Sequence, residues 1–474
     1  MSTSSNSVRS PARDYTLWSV LVEAIRGSNR DFTKGSIGLS VFLLAVPMIL
    51  EMIMESIFAV VDVFFVARLG AEAVAVVGIT ESMMVLIYAV AIGLSIGATA
   101  TVSRRIGEKD FDGAARSATH AIYMGIVVSV VMGVVGVIWA PEFLGLIGAE
   151  PEVVAQGVTF TRIMLGANCV VVFLFLLNAI FRGAGDAAIA MRVLWLSNAL
   201  NIVLDPMLIF GIWIFPELGV TGAAVATVIG RGIGVIYASY VLFYGEKRFQ
   251  IRAEHWKLDV DRFKRLFSVS WVAVLQFLIG TASWLGLMRV VAGFGSQAVA
   301  GYTISIRIVI FALLPSVGLA NAAATLVGQN LGAQKSDRAE RSVWTAAKYN
   351  AIFQTSIGIA FAIFAEPIVW IFTTEPEVSR YAVDSLRIIS YGFFFYAIGM
   401  VVETAFNGAG DTWTPTYLNL FVFWLFEIPL AIVLAHYFGY GPYGVFWAIT
   451  IAFSMLAVVS VILFRRGKWK LMEV

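Results

Sequence analysis

Gly183-Ala184-Gly185-Asp186 returns 225 residues later as Gly408-Ala409-Gly410-Asp411, and the same offset aligns much of the remaining chain. Gly70 meets Gly295, Ala73-Val74-Ala75 meets Ala298-Val299-Ala300, Gly107 meets Gly332, and Arg116-Ser117 meets Arg341-Ser342. Glu150-Pro151-Glu152-Val153 meets Glu375-Pro376-Glu377-Val378, Arg162 meets Arg387, and Gly219-Val220 meets Gly444-Val445. Chance supplies one such match, but a set held at one offset marks an internal duplication. In the repeated tetrapeptide the glycines suit a tight turn, and the aspartate is placed to cap the helix that follows.

What is duplicated is a set of membrane spans. Of the 474 residues 59% are apolar and only 14% charged, with a mean hydropathy of +0.85, too few charges to cover a water-soluble surface. A bilayer core about 30 Å thick needs roughly 20 apolar residues per helix. Twelve runs of that order occur, near 38–67, 76–99, 118–140, 155–180, 191–214, 220–244, 266–290, 298–322, 345–370, 381–406, 415–437 and 441–464. The intervening Lys and Arg set the orientation, because basic loops stay in the cytoplasm. With the N-terminus inside, the inner loops and C-terminal tail hold 21 of the 33 basic residues, and the leading segment with Arg9, Arg13, Arg26, Arg30 and Lys34 holds five more. The outer loops hold only Arg68, Arg289 and Arg380. Both termini are therefore expected in the cytoplasm, and the polar first 35 residues lack the apolar core of a signal peptide.

Six spans per copy return the chain to its starting side, so the halves are expected to be parallel repeats related by an axis along the membrane normal. The expected fold is an all-α membrane protein of twelve transmembrane helices in two six-helix bundles around a central cleft. The divisions are a cytoplasmic segment 1–35, an N-terminal bundle 36–245, a basic linker 246–265, a C-terminal bundle 266–464 and a tail 465–474. The net charge of +2 gives no sign of a nucleic-acid partner. One cysteine, Cys169, excludes an internal disulfide, and His120, His255 and His436 have no metal-ligand spacing.

The repeat also separates scaffold from chemistry, since polar residues present in only one half are not needed by the shared fold. Arg162 and Arg387 occur in both and read as packing or snorkelling groups. Glu51, Glu55 and Asp62 occur only in the first span, where the second half has Gln276, Gly280 and Leu287. At 100° per residue they share one helix face. An ionised acid near mid-bilayer costs at least about 2.5 kcal/mol, so this face is expected to meet protein or water. Asn198, Asn201 and Asp205 line one face of the fifth span just before Pro206, where the second half has Phe426 and Leu430 opposite Asn201 and Asp205. Carboxylate, carboxamide and the carbonyl that proline frees are hard ligands for a small cation such as sodium, and the same carboxylates can carry a proton. Thr227 in the sixth span lies at matching depth, and Glu403, aligned with Asn178, adds polarity in the tenth.

These residues resemble the multidrug and toxic compound extrusion (MATE) family. The resemblance rests on Pro47 with Asp62 and Arg68-Leu69-Gly70, on Arg182-Gly183-Ala184-Gly185-Asp186, and on Asn201-Ile202-Val203-Leu204-Asp205-Pro206, and runs from Gly38 onward. It is strongest toward the DinF-like and archaeal branch, which implies a coupling site for sodium or a proton at Asp62, Asn201 and Asp205, with Thr227 beside them. It further implies cation-coupled antiport of small organic, often cationic or amphipathic, compounds by alternating access. Glu51, Glu55, Asn198, Gln276 and Glu403 are then expected at the substrate cavity. Glu51 and Glu55 depart from that branch's pattern, and Gln276 stands where other branches have a glutamate. No cofactor is expected, the protein is expected to act as a monomer in the plasma (inner) membrane, and a flippase of lipid-linked sugars is the alternative within the superfamily. An intramembrane enzyme using Asp62 and Asp205 is disfavoured, because no Ser/His, Cys/His or metal-ligand set accompanies them.

Overall fold

A computed structural model describes residues 16–146, 151–245 and 248–474. Arg9, Arg13, Glu150 and the first two linker residues lie outside the described residues. The chain opens with α1 (Leu17–Arg26), continues through α2 (Ile37–Ala67), α3 (Ala71–Glu108), α4 (Phe111–Ile138) and α5 (Ala140–Leu146), and reaches α6 (Pro151–Gly166) and α7 (Asn168–Ala184). α8 (Ala187–Phe210) and α9 (Val220–Tyr244) complete the first half. The second contains α10 (Val260–Ala292), α11 (Ser296–Gly332), α12 (Ser336–Trp370), α13 (Pro376–Ser390), α14 (Phe393–Ala409), α15 (Trp413–Tyr437) and α16 (Pro442–Arg465). Among the described residues eleven helices are long and apolar enough to cross a membrane, and the bent pair α13–α14 makes a twelfth span. Ile126, Val127, Val130, Val131 and Val134 on α4 are among the exposed apolar side chains such a helix offers to lipid.

Several elements differ from the sequence expectation. α1 falls in a segment read only as polar, and buries Val20 and Ala24 while packing on α2. α3 and α11 run about nine residues past their expected ends, because those ends bury against protein rather than stopping with the lipid. α10 begins inside the expected linker, where Asp259 accepts the N–H groups of Asp261 and Arg262. Both fourth spans of the repeat are broken, at Ala167 and at Tyr391–Gly392, with a 59° bend in the second. Side chains satisfy the freed carbonyls: Asn168 Nδ2 donates to Leu165 O at 2.7 Å, and Thr450 Oγ1 donates to Ile388 O at 2.9 Å.

The two repeated turns do take the left-handed glycine conformation, φ +88° at both Gly185 and Gly410. Their aspartates diverge. Asp411 accepts from the N–H of Thr414 at 3.2 Å, whereas Asp186 makes no side-chain cap and lies 3.9 Å from Arg248 Nε. The turns face the opposite half. Gln329 of α11 donates to Gly183 O at 3.0 Å, and its repeat equivalent, Arg104 of α3, donates to Ala409 O at 3.2 Å. Between them α3 and α11 cross so closely that a Cβ at Gly107 would collide with the Gln329 carbonyl, and one at Gly332 with the Arg104 carbonyl. Thr325 Oγ1 adds a bond to Arg182 O at 3.1 Å. This reciprocal clasp closes the cleft on the side that carries α1 and the C-terminal tail. The tail buries Trp469 there, and Arg104 also donates to Met472 O at 2.8 Å.

Candidate functional site

α2 carries the acidic stripe into the interior, since it packs on α8 of its own half and on α11 of the other. Glu51 and Asp62 are eleven residues apart, roughly 16 Å along the helix at 1.5 Å per residue. Two cavities separate along that length. One, of about 490 Å³, lies between the halves and is lined by Glu51, Glu55, Asn178 and Arg182, facing Asn321, Thr404 and Asn407. The other, of about 430 Å³, is lined by Asp62, Glu81, Thr227, Arg231 and Arg307, with Glu55 shared by both.

Of the four residues expected to hold a coupling ion, Asn201, Asp205 and Thr227 are joined by hydrogen bonds, and Asp62 lines the same cavity as Thr227. Asp205 and Asn201 are buried in α8. The Asn201 carboxamide orientation that satisfies both ends donates to Asp205 Oδ2 at 2.6 Å and accepts from the Thr227 hydroxyl at 3.0 Å. Glycine brings α9 this close: a Cβ at Gly230 would sit 2.8 Å from Ser197 O, and one at Gly222 would collide with Leu208 O. Asn201, Asp205 and Thr227 therefore present a carboxamide, a carboxylate and a hydroxyl at one place, with the Asp62 carboxylate on the cavity that Thr227 also lines. These oxygens suit a proton or a small hard cation.

Glu51 and Glu55 sit elsewhere and are matched by arginines. Glu51, 2% exposed, meets Arg182 Nη1 at 2.8 Å and Asn178 Nδ2 at 3.4 Å. Glu55 accepts from Asn198 Nδ2 at 2.9 Å and has Arg231 Nη2 at 3.8 Å. Arg231 is buried, its Nη1 3.4 Å from the Tyr88 hydroxyl and its guanidinium 5.7 Å from the centre of the Phe58 ring. Asn198 thus serves Glu55 rather than the group around Asp205. Gln276 and Glu403 stand apart from the Asp62 group. Each has a buried side-chain oxygen with no hydrogen-bond partner, and each adjoins a residue of the first cavity, Phe277 and Thr404. By the repeat they replace Glu51 and Asn178, so acid and amide have exchanged positions between the halves.

Arg182, Arg231, Arg307 and Glu81 are site residues that sequence reading missed. The repeat filter, applied to acids and amides, also finds these when applied to every charge: their equivalents are Asn407, Leu456, Ser82 and Ile306. Arg182 was hidden because it adjoins the repeated glycine turn, yet its Nη1 reaches back to the buried Glu51.

A family model described as MatE matches residues 47–207 and again 273–433, the two halves of the repeat. The chain belongs to the MATE family. A probable multidrug resistance protein, NorM of Thermotoga maritima, is 27% identical over 90% of this chain and 92% of its own length. A FAD transporter of Shewanella oneidensis is 26% identical over 86% of this chain and 90% of its own. Among solved structures, a MOP-superfamily transporter from Pyrococcus furiosus superposes with a TM-score of 0.88 at 25% identity, covering 92% of this chain and 97% of that one. An outward-facing MATE multidrug resistance transporter also superposes with a TM-score of 0.88 at 25% identity, covering 94% of this chain and all of that one. As a MATE protein the chain is a transporter, not an enzyme, integral to a membrane and acting on small molecules.

Proposed function

We propose that this protein is a sodium- or proton-coupled antiporter that exports small organic compounds by alternating access. It acts as a monomer in the plasma membrane, with both termini cytoplasmic and with 36–245 and 266–464 as its two bundles. The observation that carries the reading is the hydrogen-bonded group Asn201, Asp205 and Thr227 beside Asp62, where Asp62 and Thr227 line a second cavity apart from the one at Glu51 and Arg182. Asp205 is buried with no cation against it among the described residues, and in a low-dielectric interior an entering proton or cation compensates such a carboxylate. Asp62 borders the cavity and Asp205 lies deeper, so Asp62 receives the cation and Asp205 with Asn201 retains it. In this orientation the Arg104–Gln329 clasp is the closed cytoplasmic gate, and opening it separates each α3 or α11 end from the opposite turn. The relatives named for multidrug resistance support organic substrates.

Dye efflux from proteoliposomes under separately imposed sodium and proton gradients tests this. One gradient drives efflux, and Asp62→Asn and Asp205→Asn both abolish it while the protein still assembles. Gradient-driven transport by both variants at the unmodified rate overturns the assignment.

A further inference from the structure

The first half covers with its own chain a place that the second half leaves open. Tyr123 of α4 donates to Trp256 O at 2.7 Å and its ring lies edge-on to that indole, so the linker lies over this part of α4. The equivalent residue of α12 is Lys348, which is exposed and has no ion pair among the described residues. Beside it runs a groove of about 600 Å³ lined by α12 and α14 alone. The groove opens because side chains shrink, with Ala347 and Ala351 standing where the first half has Ile122 and Ile126. Its polar groups are also confined to one half: Lys348, Thr355 and Ser356 replace Tyr123, Val130 and Val131. Thr345 and Ser356 donate to the carbonyl one turn back, each at 2.8 Å, whereas the buried Thr355 hydroxyl has no hydrogen-bond partner among the described residues. Trp344 closes the end toward α1 and the tail, with the Arg465 guanidinium 5.7 Å from its ring centre. Glu340, which accepts from the Trp344 indole at 3.5 Å, is already paired with Lys470 at 2.6 Å, so this end of the groove is basic.

We propose that the groove holds an anionic phospholipid of the leaflet on the side of α1 and the tail, its phosphate at Lys348, its glycerol ester at Thr355 and an acyl chain along the alanines. In the orientation proposed above this is the cytoplasmic leaflet, and the site is independent of what the protein transports. From Lys348 to Thr355 the helix rises about 10 Å at 1.5 Å per residue, and the lysine reaches back toward the interface while its stem stays in the groove. Arg341 lies two turns nearer the start of α12 on the same helix face, which brings a second cation to the phosphate. Deeper in, Ile352, Phe394 and Ile398 offer hydrocarbon to a lipid tail. Basic pockets between membrane helices on the cytoplasmic side suit acidic headgroups in general. Charge disfavours the chain's own first 15 residues as the occupant, since they carry Arg9 and Arg13 against Asp14 alone.

The test uses the full chain in nanodiscs of phosphatidylcholine with a minority of phosphatidylglycerol of the same acyl chains. A benzophenone side chain at Ile352, 58% exposed beside the groove, is photo-activated and its adducts are weighed by mass spectrometry. Phosphatidylglycerol adducts are expected to exceed that lipid's share of the disc by about fivefold, the effect of one basic side chain at a membrane surface. Lys348→Gln returns the adducts to that share, and Ala351→Ile, which restores the first half's residue and fills the groove, also lowers the enrichment. Lys264→Gln, which removes an exposed cation of the linker, leaves the enrichment unchanged. Adducts in proportion to the disc, an equal loss in Lys264→Gln, or an enrichment untouched by both Lys348→Gln and Ala351→Ile overturns the proposal. So do crosslinks from Ile352 chiefly to the first 15 residues or to a second copy of the chain, which would name a protein segment as the occupant.

Discussion

The two halves share a backbone plan and differ in what they bury. Where the first has Asp62, Asn201, Asp205, Thr227 and Arg231, the second has Leu287, Phe426, Leu430, Ala452 and Leu456. Apolar packing thus suffices for the fold at these places, and the buried charges of the first half are an addition to it, held there despite a desolvation cost. The clasp teaches the converse. There the halves are alike in geometry, each sending a side chain from Arg104 or Gln329 to the other's glycine turn, and this likeness marks machinery that belongs to both.

The sharpest way to break the comparison is to put the same neutral amide at two equivalent positions. Asp205→Asn is expected to reduce gradient-driven efflux to the background leak, whereas Leu430→Asn, its counterpart, is expected to cost stability but leave coupling stoichiometry unchanged. Proteoliposome flux with a thermal-shift control checks both, and lost coupling in Leu430→Asn with normal assembly would place a coupling group in the second half too.

The clasp predicts equality instead. Gly107→Val and Gly332→Val each put carbon where the opposite carbonyl stands, at an overpacking cost of about 1–3 kcal/mol. That shifts a two-state population by roughly 5- to 150-fold away from closure. Both variants should raise labelling of a cysteine introduced at Thr325 and slow transport to a similar degree. A large difference between them would mean that the two arms of the clasp carry unequal load.

A smaller effect separates Arg162 from Arg387, which by sequence alone should behave alike. Arg387 meets the exposed Glu366 at 3.0 Å and donates to Ala362 O, while Arg162 is exposed. Arg387→Ala should lower stability by about 0.5–1 kcal/mol and Arg162→Ala by less, read as midpoint shifts in thermal unfolding. The smallest concerns the tail. Lys470 at 2.6 Å holds the Glu340 carboxyl below its usual range, chiefly through that hydrogen bond. A depressed acid contributes stability above its unfolded value and loses it as pH falls through the folded one. Proteolysis of the tail should therefore quicken below about pH 4.5, the ordinary carboxylate range, and Lys470→Met should remove the pH step.

The repeat, the number of spans and the confinement of Asp62, Asn201 and Asp205 to one half were all legible in the sequence, because span length, offset and the absence of an acid from an equivalent position are linear facts. So was the acidic face of α2, since helical period fixes it. What the face touches was not. That Glu51 pairs with Arg182 of α7, and Glu55 with Asn198 of α8, depends on which helices cross α2, and residues over a hundred positions away supply the partners. The clasp was hidden for the same reason. Gly107 and Gly332 are visible as a repeated pair, but only the crossing of α3 and α11 shows that each glycine makes room for the other half's backbone. Sequence determined which groups are costly to bury in this protein, and tertiary structure decided what compensates them, because charge compensation acts through space over a few ångströms and chain order does not encode that distance.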